Sequence, residues 1–204
     1  MDDGNSRDRI LDAALEEFSA KGIAGARVEQ IAKRAGVNVR MIYYFFKSKA
    51  NLYREVNSRA ARTGHFEIDD STTDEVISRL LHALFGNAVS NVDFVRLLQW
   101  ESLEIQSGSE ELPNLIERND LVARRVELMR QAQAEGRLAP NLDPQMLYIA
   151  LHSLSLAPFA FPSLVKIASG LSPADNEFKT AYWLFLEQLA RELSGNGERS
   201  DSAE

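Results

Sequence analysis

Apolar residues recur along this chain at helical intervals and no stretch alternates as a strand does, so the pattern predicts an all-α protein. Ile10, Leu11, Ala14, Leu15 and Phe18 mark the inner face of a first helix, over about Ser6 to Lys21, with Ser6 as its cap and Gly22 as its stop. Val28, Ile31, Ala32 and Ala35 mark a short second helix. Gly36 ends it by supplying the left-handed backbone of a tight turn, and Asn38 caps a third helix. On the wheel of that third helix Ile42, Phe45 and Phe46 fall on one side, Arg40, Tyr43 and Tyr44 on the other. A fourth helix opens at Ser48 and runs through Leu52, Tyr53 and Val56 towards Arg62 as a connector. The polar stretch His65 to Thr73, with Asp69 and Asp70, reads as a loop. A boundary between Gly64 and Ser71 divides the chain into domains 1–64 and 65–204.

Beyond the loop, Thr73 to Val89 carries a wide apolar stripe of Val76, Ile77, Leu80, Leu81 and Leu84. Asp93 to Gln106 and Pro113 to Ala134 follow as helices, the latter with Leu115, Val122, Val126 and Met129 on one side, and Gly108 and Gly136 punctuate them. Pro144 opens the next helix. From Met146 to Val165 the chain is apolar nearly all round, and Pro158 and Pro162 should break it into a kinked pair. Pro173 to Leu193 forms the last helix, and the polar tail Gly195 to Glu204 frays.

At 204 residues the chain holds one large domain or two small ones, and 45% hydrophobic with 26% charged residues describes a folded globular protein. The absence of cysteine excludes disulfides and thiolate chemistry and fits a reducing cytoplasm. No apolar run reaches the roughly 18 residues of a membrane span, and the acidic start MDDGNSRDR is no signal peptide. The net charge of −7 argues against nucleic acid as a partner until its distribution is read. Up to Gly64 there are 12 Lys or Arg against 8 Asp or Glu; beyond it, 11 against 22. From Arg27 to Arg54 seven basic residues face a single acid, Glu29. A basic head drawn to phosphate and an acidic body repelled by it would orient an encounter with DNA. Outward tyrosines and an arginine on the third helix suit phosphate oxygens and base edges.

From about Arg9 to Val56 these residues resemble the tetracycline-repressor (TetR) family of transcriptional regulators. The resemblance rests on Phe18 and Lys21-Gly22, Ile31-Ala32, Ala35-Gly36-Val37, Ile42-Tyr43, Phe45-Phe46, and Lys49 with Leu52. It implies an N-terminal three-helix helix-turn-helix DNA-binding domain and a C-terminal helical bundle for ligand binding and dimerisation. It further implies a recognition helix from Asn38 to Tyr44 in the major groove, including Val39, Arg40 and Met41, with Arg27, Tyr43 and Lys49 on the DNA backbone. Two features depart from the family pattern. Ala26 and Arg27 stand where a Thr or Ser cap is common, and Val39, Arg40 and Met41 replace Lys, Gly and Thr, which implies a different operator. Val39 could touch a thymine methyl and Arg40 a guanine.

On the last helix Phe178, Tyr182, Phe185, Leu189 and Leu193 form one stripe, while Ala181, Trp183 and Leu184 add a second that a monomer would leave wet. The resemblance implies that a homodimer buries it, with Leu151, Leu154, Tyr182, Trp183, Phe185 and Leu189 at the interface. It also implies a small-molecule effector in the body. Phe85, Phe94, Trp100, Leu103, Met129 and His152 are candidate lining residues for an apolar ligand, with Glu101 or Glu104 selecting a cationic one. Catalysis has little support. His65, His82 and His152 are scattered, no HExxH, GxSxG, P-loop or dinucleotide motif occurs, and neither metal nor cofactor is expected. His82 falls on a solvated face and His152 in an apolar helix. The reading is a non-enzymatic repressor that binds double-stranded DNA, lies outside any membrane and leaves a palindromic operator when its effector binds. One rival is an enzyme acting on DNA, which needs clustered acidic metal ligands. The other is a helical adaptor that binds protein through the tyrosine face, which duplex DNA would not compete away.

Overall fold

The computed structural model describes residues 3–63, 76–106 and 115–194. Among these residues it has ten helices and no strand: α1 (Asp3–Gly25), α2 (Val28–Ala35), α3 (Val39–Phe46), α4 (Lys49–Thr63), α5 (Val76–Ser90), α6 (Val92–Gln106), α7 (Leu115–Ala134), α8 (Pro144–Ala160), α9 (Pro162–Ser169) and α10 (Asn176–Leu193). The loop expected at His65–Thr73, the domain boundary between Gly64 and Ser71, the break at Gly108 and the tail from Gly195 lie outside the described residues.

Two compact units result. The first joins α1–α4 with α6, so α6 leaves the body in which the linear boundary placed it. Its core is the set of positions marked by helical spacing: Ile10, Ala14, Phe18, Ile31, Ile42, Phe46, Leu52 and Val56 are buried together with Leu97 of α6. Phe18 meets Tyr53 edge to face at 5.1 Å, an arrangement that aromatic quadrupoles favour.

Two details of α1 differ from expectation. The helix starts at Asp3, before Ser6, so Ser6 is no cap but a buried helical residue whose hydroxyl accepts from Arg9 at 3.3 Å. Gly22 interrupts the helix, with φ 66° and ψ 175°, and one further turn carries on to Gly25. Trp100 of α6 packs on Gly22, and its indole N–H donates to the Ser19 carbonyl at 3.1 Å.

The second unit comprises α5 and α7–α10. Helix α5 buries Val76, Ile77, Leu80, Leu81 and Leu84 and packs against both α8 and α10. Asp143 caps α8 by accepting from the Gln145 and Met146 amides at 3.0 and 2.9 Å, with Pro144 in the first turn, where no amide hydrogen is needed. The expected kinked pair forms, with its break at the second of the two prolines. Pro158 is accommodated inside α8, while Pro162 starts α9 after Phe161 and the two helices bend by 81°. No single described helix is long and apolar enough to cross a membrane. The last helix starts at Asn176, later than Pro173, because the preceding residues close a turn in which the Ser172 amide donates to Asp175 at 2.7 Å.

Candidate nucleic-acid interface

Helix α2 ends as its glycine requires. Gly36 takes φ 66° and ψ 36°, its amide donates to the Lys33 carbonyl, and the Val37 amide donates to Ala32 at 3.0 Å. Two residues later Asn38 accepts from the Met41 amide at 2.9 Å and starts α3. That bond commits the carboxamide oxygen to the helix and leaves the amide nitrogen to donate. Between these caps the orientation of α3 is fixed by Ile42 and Phe46, which are 0% and 1% exposed. The opposite face is therefore outward: Tyr43 is 45% and Tyr44 67% exposed, Arg40 is exposed, and Val39 and Met41 are half-buried.

The chain leaves α3 through Lys47, which has a left-handed φ of 66°. Its ammonium donates to the Tyr44 carbonyl at 2.8 Å and lies 5.6 Å from the centre of the Tyr44 ring, a cation–π contact that holds both side chains beside the helix. Ser48 caps α4 by accepting from the Asn51 amide at 3.1 Å. Lys49 follows, half-buried, with its ammonium 3.4 Å from the Ala24 carbonyl.

Arg27 precedes α2 with no side-chain cap, as the sequence implied. A residue that sequence reasoning missed serves this end of the helix: the Arg27 amide donates to Glu17 of α1 at 3.3 Å. Glu17 is 2% exposed and also receives Lys21 at 2.7 Å and Arg34 at 3.6 Å. Burial pushes its carboxyl up, but the Lys21 and Arg27 hydrogen bonds and the charges of Lys21 and Arg34 together hold it below the usual carboxylate range. The Glu17–Lys21 spacing was visible in sequence; the reach across to Arg27 and Arg34 was not. Arg34 also pairs with Glu16 at 3.2 Å, so this cation is bound within the protein.

All eight expected DNA contacts, Arg27, Asn38, Val39, Arg40, Met41, Tyr43, Tyr44 and Lys49, thus lie in the first unit, at the start of α2, along α3 and at the start of α4. The expected effector residues are not brought together in one unit. Phe94, Trp100 and Leu103 belong to α6 in the first, where Trp100 and Leu103 border an open cleft of about 490 Å³ with Ser19, Ala20, Arg96 and Gln99. Phe85, Met129 and His152 belong to the second. Glu101 is buried on α6, and burial followed by the Glu101 charge raises the Glu104 carboxyl. His82 is exposed as expected and meets the Trp183 ring edge-on at 5.0 Å.

The expected interface residues need one correction. Leu151 is 1% exposed within the second unit's own core, which removes it from any contact with a second copy. Leu154, Tyr182, Trp183 and Leu189 are half-buried, and Tyr182 donates to the Leu154 carbonyl at 2.9 Å. Outward apolar side chains more than half exposed include Met146 and Ile149 on α8, Phe161, Leu164 and Ile167 at and along α9, and Leu184 and Phe185 on α10. Among the described residues no group of His, Cys, Asp or Glu is arranged to hold a metal ion.

A trihelical core that buries one side of its third helix and offers basic and phenolic groups from the other is a helix-turn-helix DNA-binding domain. Profiles of known families agree. The one described as bacterial regulatory proteins, tetR family, matches residues 10–56, and a tetracyclin repressor-like C-terminal domain matches residues 74–183. The chain is 30% identical over 162 residues to the HTH-type transcriptional repressor SCO4008 of Streptomyces coelicolor, covering 79% of this chain and 82% of that protein. It is 27% identical over 197 residues to the HTH-type transcriptional repressor NicS of Pseudomonas putida, covering 91% and 90%. The crystal structure of SCO4942 from Streptomyces coelicolor superposes with a TM-score of 0.72 at 26% identity, covering 90% of this chain and 97% of that one. The chain belongs to the tetR family, whose members are DNA-binding transcriptional regulators and not enzymes.

Proposed function

We propose that this protein is a homodimeric repressor that holds a palindromic operator through two copies of α3 and releases it when a small-molecule effector binds. Residues 1–64 form the DNA-binding part with its connector helix, α6 packs with them, and the rest of residues 65–204 carries ligand binding and dimerisation. The site of action is the cytoplasm, where the operator is. The observation that carries the reading is the two-sidedness of α3: Ile42 and Phe46 are sealed while Arg40, Tyr43 and Tyr44 are offered outward. A single eight-residue helix spans few base pairs, so useful specificity calls for two half-sites about one helical turn, roughly 34 Å, apart.

Selection of bound duplexes from a random pool by the purified protein should recover an inverted repeat with that spacing. Recovery of an unrepeated motif, or no enrichment, would count against the reading. On the recovered site, Arg40→Ala should cost about 2 kcal/mol and relax preference at one base pair per half-site, because a bidentate contact to a base edge is lost. Lys49→Ala should instead weaken all duplexes alike and flatten the salt dependence by about 0.9 for each phosphate contact removed. Titrations by fluorescence anisotropy at several salt concentrations separate the two. Equal, sequence-independent losses in both variants would refute the division between base and backbone roles.

A further inference from the structure

The buried face of α7 contains a charge that no described residue neutralises. Arg125 is 9% exposed and shares its stripe with Val126, Met129 and Ala132, which are 4%, 0% and 1% exposed. Arginines on such faces usually carry their guanidinium out to water along an apolar stem. This one stays inside. Its hydrogen-bond partner among the described residues is a neutral group, the Tyr148 hydroxyl, to which Nη1 donates at 3.3 Å, and no described carboxylate pairs with it.

The surroundings add donors and positive charge. The His152 ring stacks on Tyr148 with centroids 5.7 Å apart and planes at 16°. Burial and then the charges of Arg125 and Arg118 push its pKa down to about 4, so the imidazole is neutral at pH 7 and has an N–H to donate. The Tyr148 hydroxyl accepts from Arg125 and keeps its own proton for another acceptor. A guanidinium fork, a phenol and an imidazole thus meet between α7 and α8, each with a proton to give. A buried cation that no described carboxylate pairs is costly to keep, and an anion with matching geometry offsets that cost.

We propose that this cluster is the effector site and that it takes a small carboxylate: Arg125 receives both oxygens side by side, Tyr148 and His152 donate from the flank, and the ligand's apolar body lies along the stacked rings. The assignment rests on the ligand-responsive reading above and names its ligand class, replacing the cationic or purely apolar effector expected from sequence. A carboxylate fits better than a phosphate for two reasons. It is planar and matches the guanidinium fork, and its single charge balances Arg125 without carrying a second charge into an apolar interior.

The test is thermal unfolding and fluorescence titration of the full chain with matched pairs, benzoate against benzamide and hexanoate against hexanamide, and with inorganic phosphate. Each is added to the wild type and to Arg125→Met, Arg125→Lys and Tyr148→Phe. Carboxylates should stabilise the wild type more than their amides. Arg125→Met should raise the ligand-free Tm, since a buried charge that no described carboxylate pairs is gone, and weaken carboxylate binding at least about tenfold. Arg125→Lys should retain part of the preference and Tyr148→Phe should lie between. Any of four results overturns the proposal: carboxylates and amides acting alike on the wild type, Arg125→Met keeping the preference, Arg125→Met lowering the ligand-free Tm, or phosphate matching the carboxylates. DNA titrations of the same proteins keep the two readings apart. Arg125→Met should bind duplex like the wild type, and failure of every form to bind DNA would count against the regulator and not against the carboxylate site.

Discussion

A chain carrying Leu184→Glu and Phe185→Glu is expected to sediment as a monomer and to bind a two-half-site operator at least about a hundredfold more weakly than the wild type. The argument begins with the wheel of α10. Its inward side is secured by Phe178, Leu186 and Ala190, all buried, which leaves Ala181, Leu184, Phe185 and Gln188 as an exposed row at successive helical turns. Met146 and Ile149 form a comparable apolar row on α8. Rows of large exposed apolar side chains on helices of one unit mark a surface that pairs with another, and α9 adds Leu164 and Ile167 to those of α8 and α10. Two glutamates there stay solvated in the monomer and become buried and unpaired in a dimer, so the substitution acts on assembly and spares the fold. Sedimentation velocity with circular dichroism distinguishes these effects. A variant that remains dimeric with wild-type DNA affinity would place the interface elsewhere.

Gly22→Ala is expected to destabilise the first unit by about 4 kcal/mol and to abolish DNA binding with it. Two separate costs add. At φ 66° and ψ 175° the residue occupies backbone space that side chains do not share. A methyl group there would also stand 2.8 Å from Cε3 and 2.9 Å from Cδ2 of Trp100. The indole cannot simply withdraw, because its N–H is tied to the Ser19 carbonyl. Denaturant unfolding followed by circular dichroism measures the loss. Adding Trp100→Leu should recover the part due to collision and leave the part due to backbone strain, a non-additivity that a double-mutant cycle reads directly. A loss under about 1 kcal/mol would show that the junction of α1 and α6 is softer than its geometry implies.

What could be read from the sequence is what local physics decides. The turn between α2 and α3 was legible because Gly36 and Asn38 act on backbone within three residues of themselves, and Ser48 likewise announced α4. The inward face of α3 was legible because its other face is polar. Where a helix is apolar all round this contrast disappears. On α8 the wheel could not say whether Leu151 or the row of Met146 and Ile149 turns inward, and packing on α5 chose Leu151. Long-range pairing was equally hidden. Trp100 finds Ser19 from 81 residues away, which takes α6 into the first unit, and nothing near either residue signals it. Arg125 was passed over because an arginine beside Val126 and Met129 is ordinarily read as reaching out of the stripe; its burial among them is a tertiary fact.

Glu17 has a further consequence for how the head meets a duplex. Seven basic residues stand between Arg27 and Arg54, but Arg34 spends its charge on Glu16 and Glu17 and has no phosphate left to neutralise. Counterions are displaced from DNA only by cations that arrive uncompensated. The slope of log affinity against log salt should therefore be shallower than a tally of lysines and arginines suggests, and the shortfall per protomer measures how much of the head's basicity is committed to holding α2 onto α1.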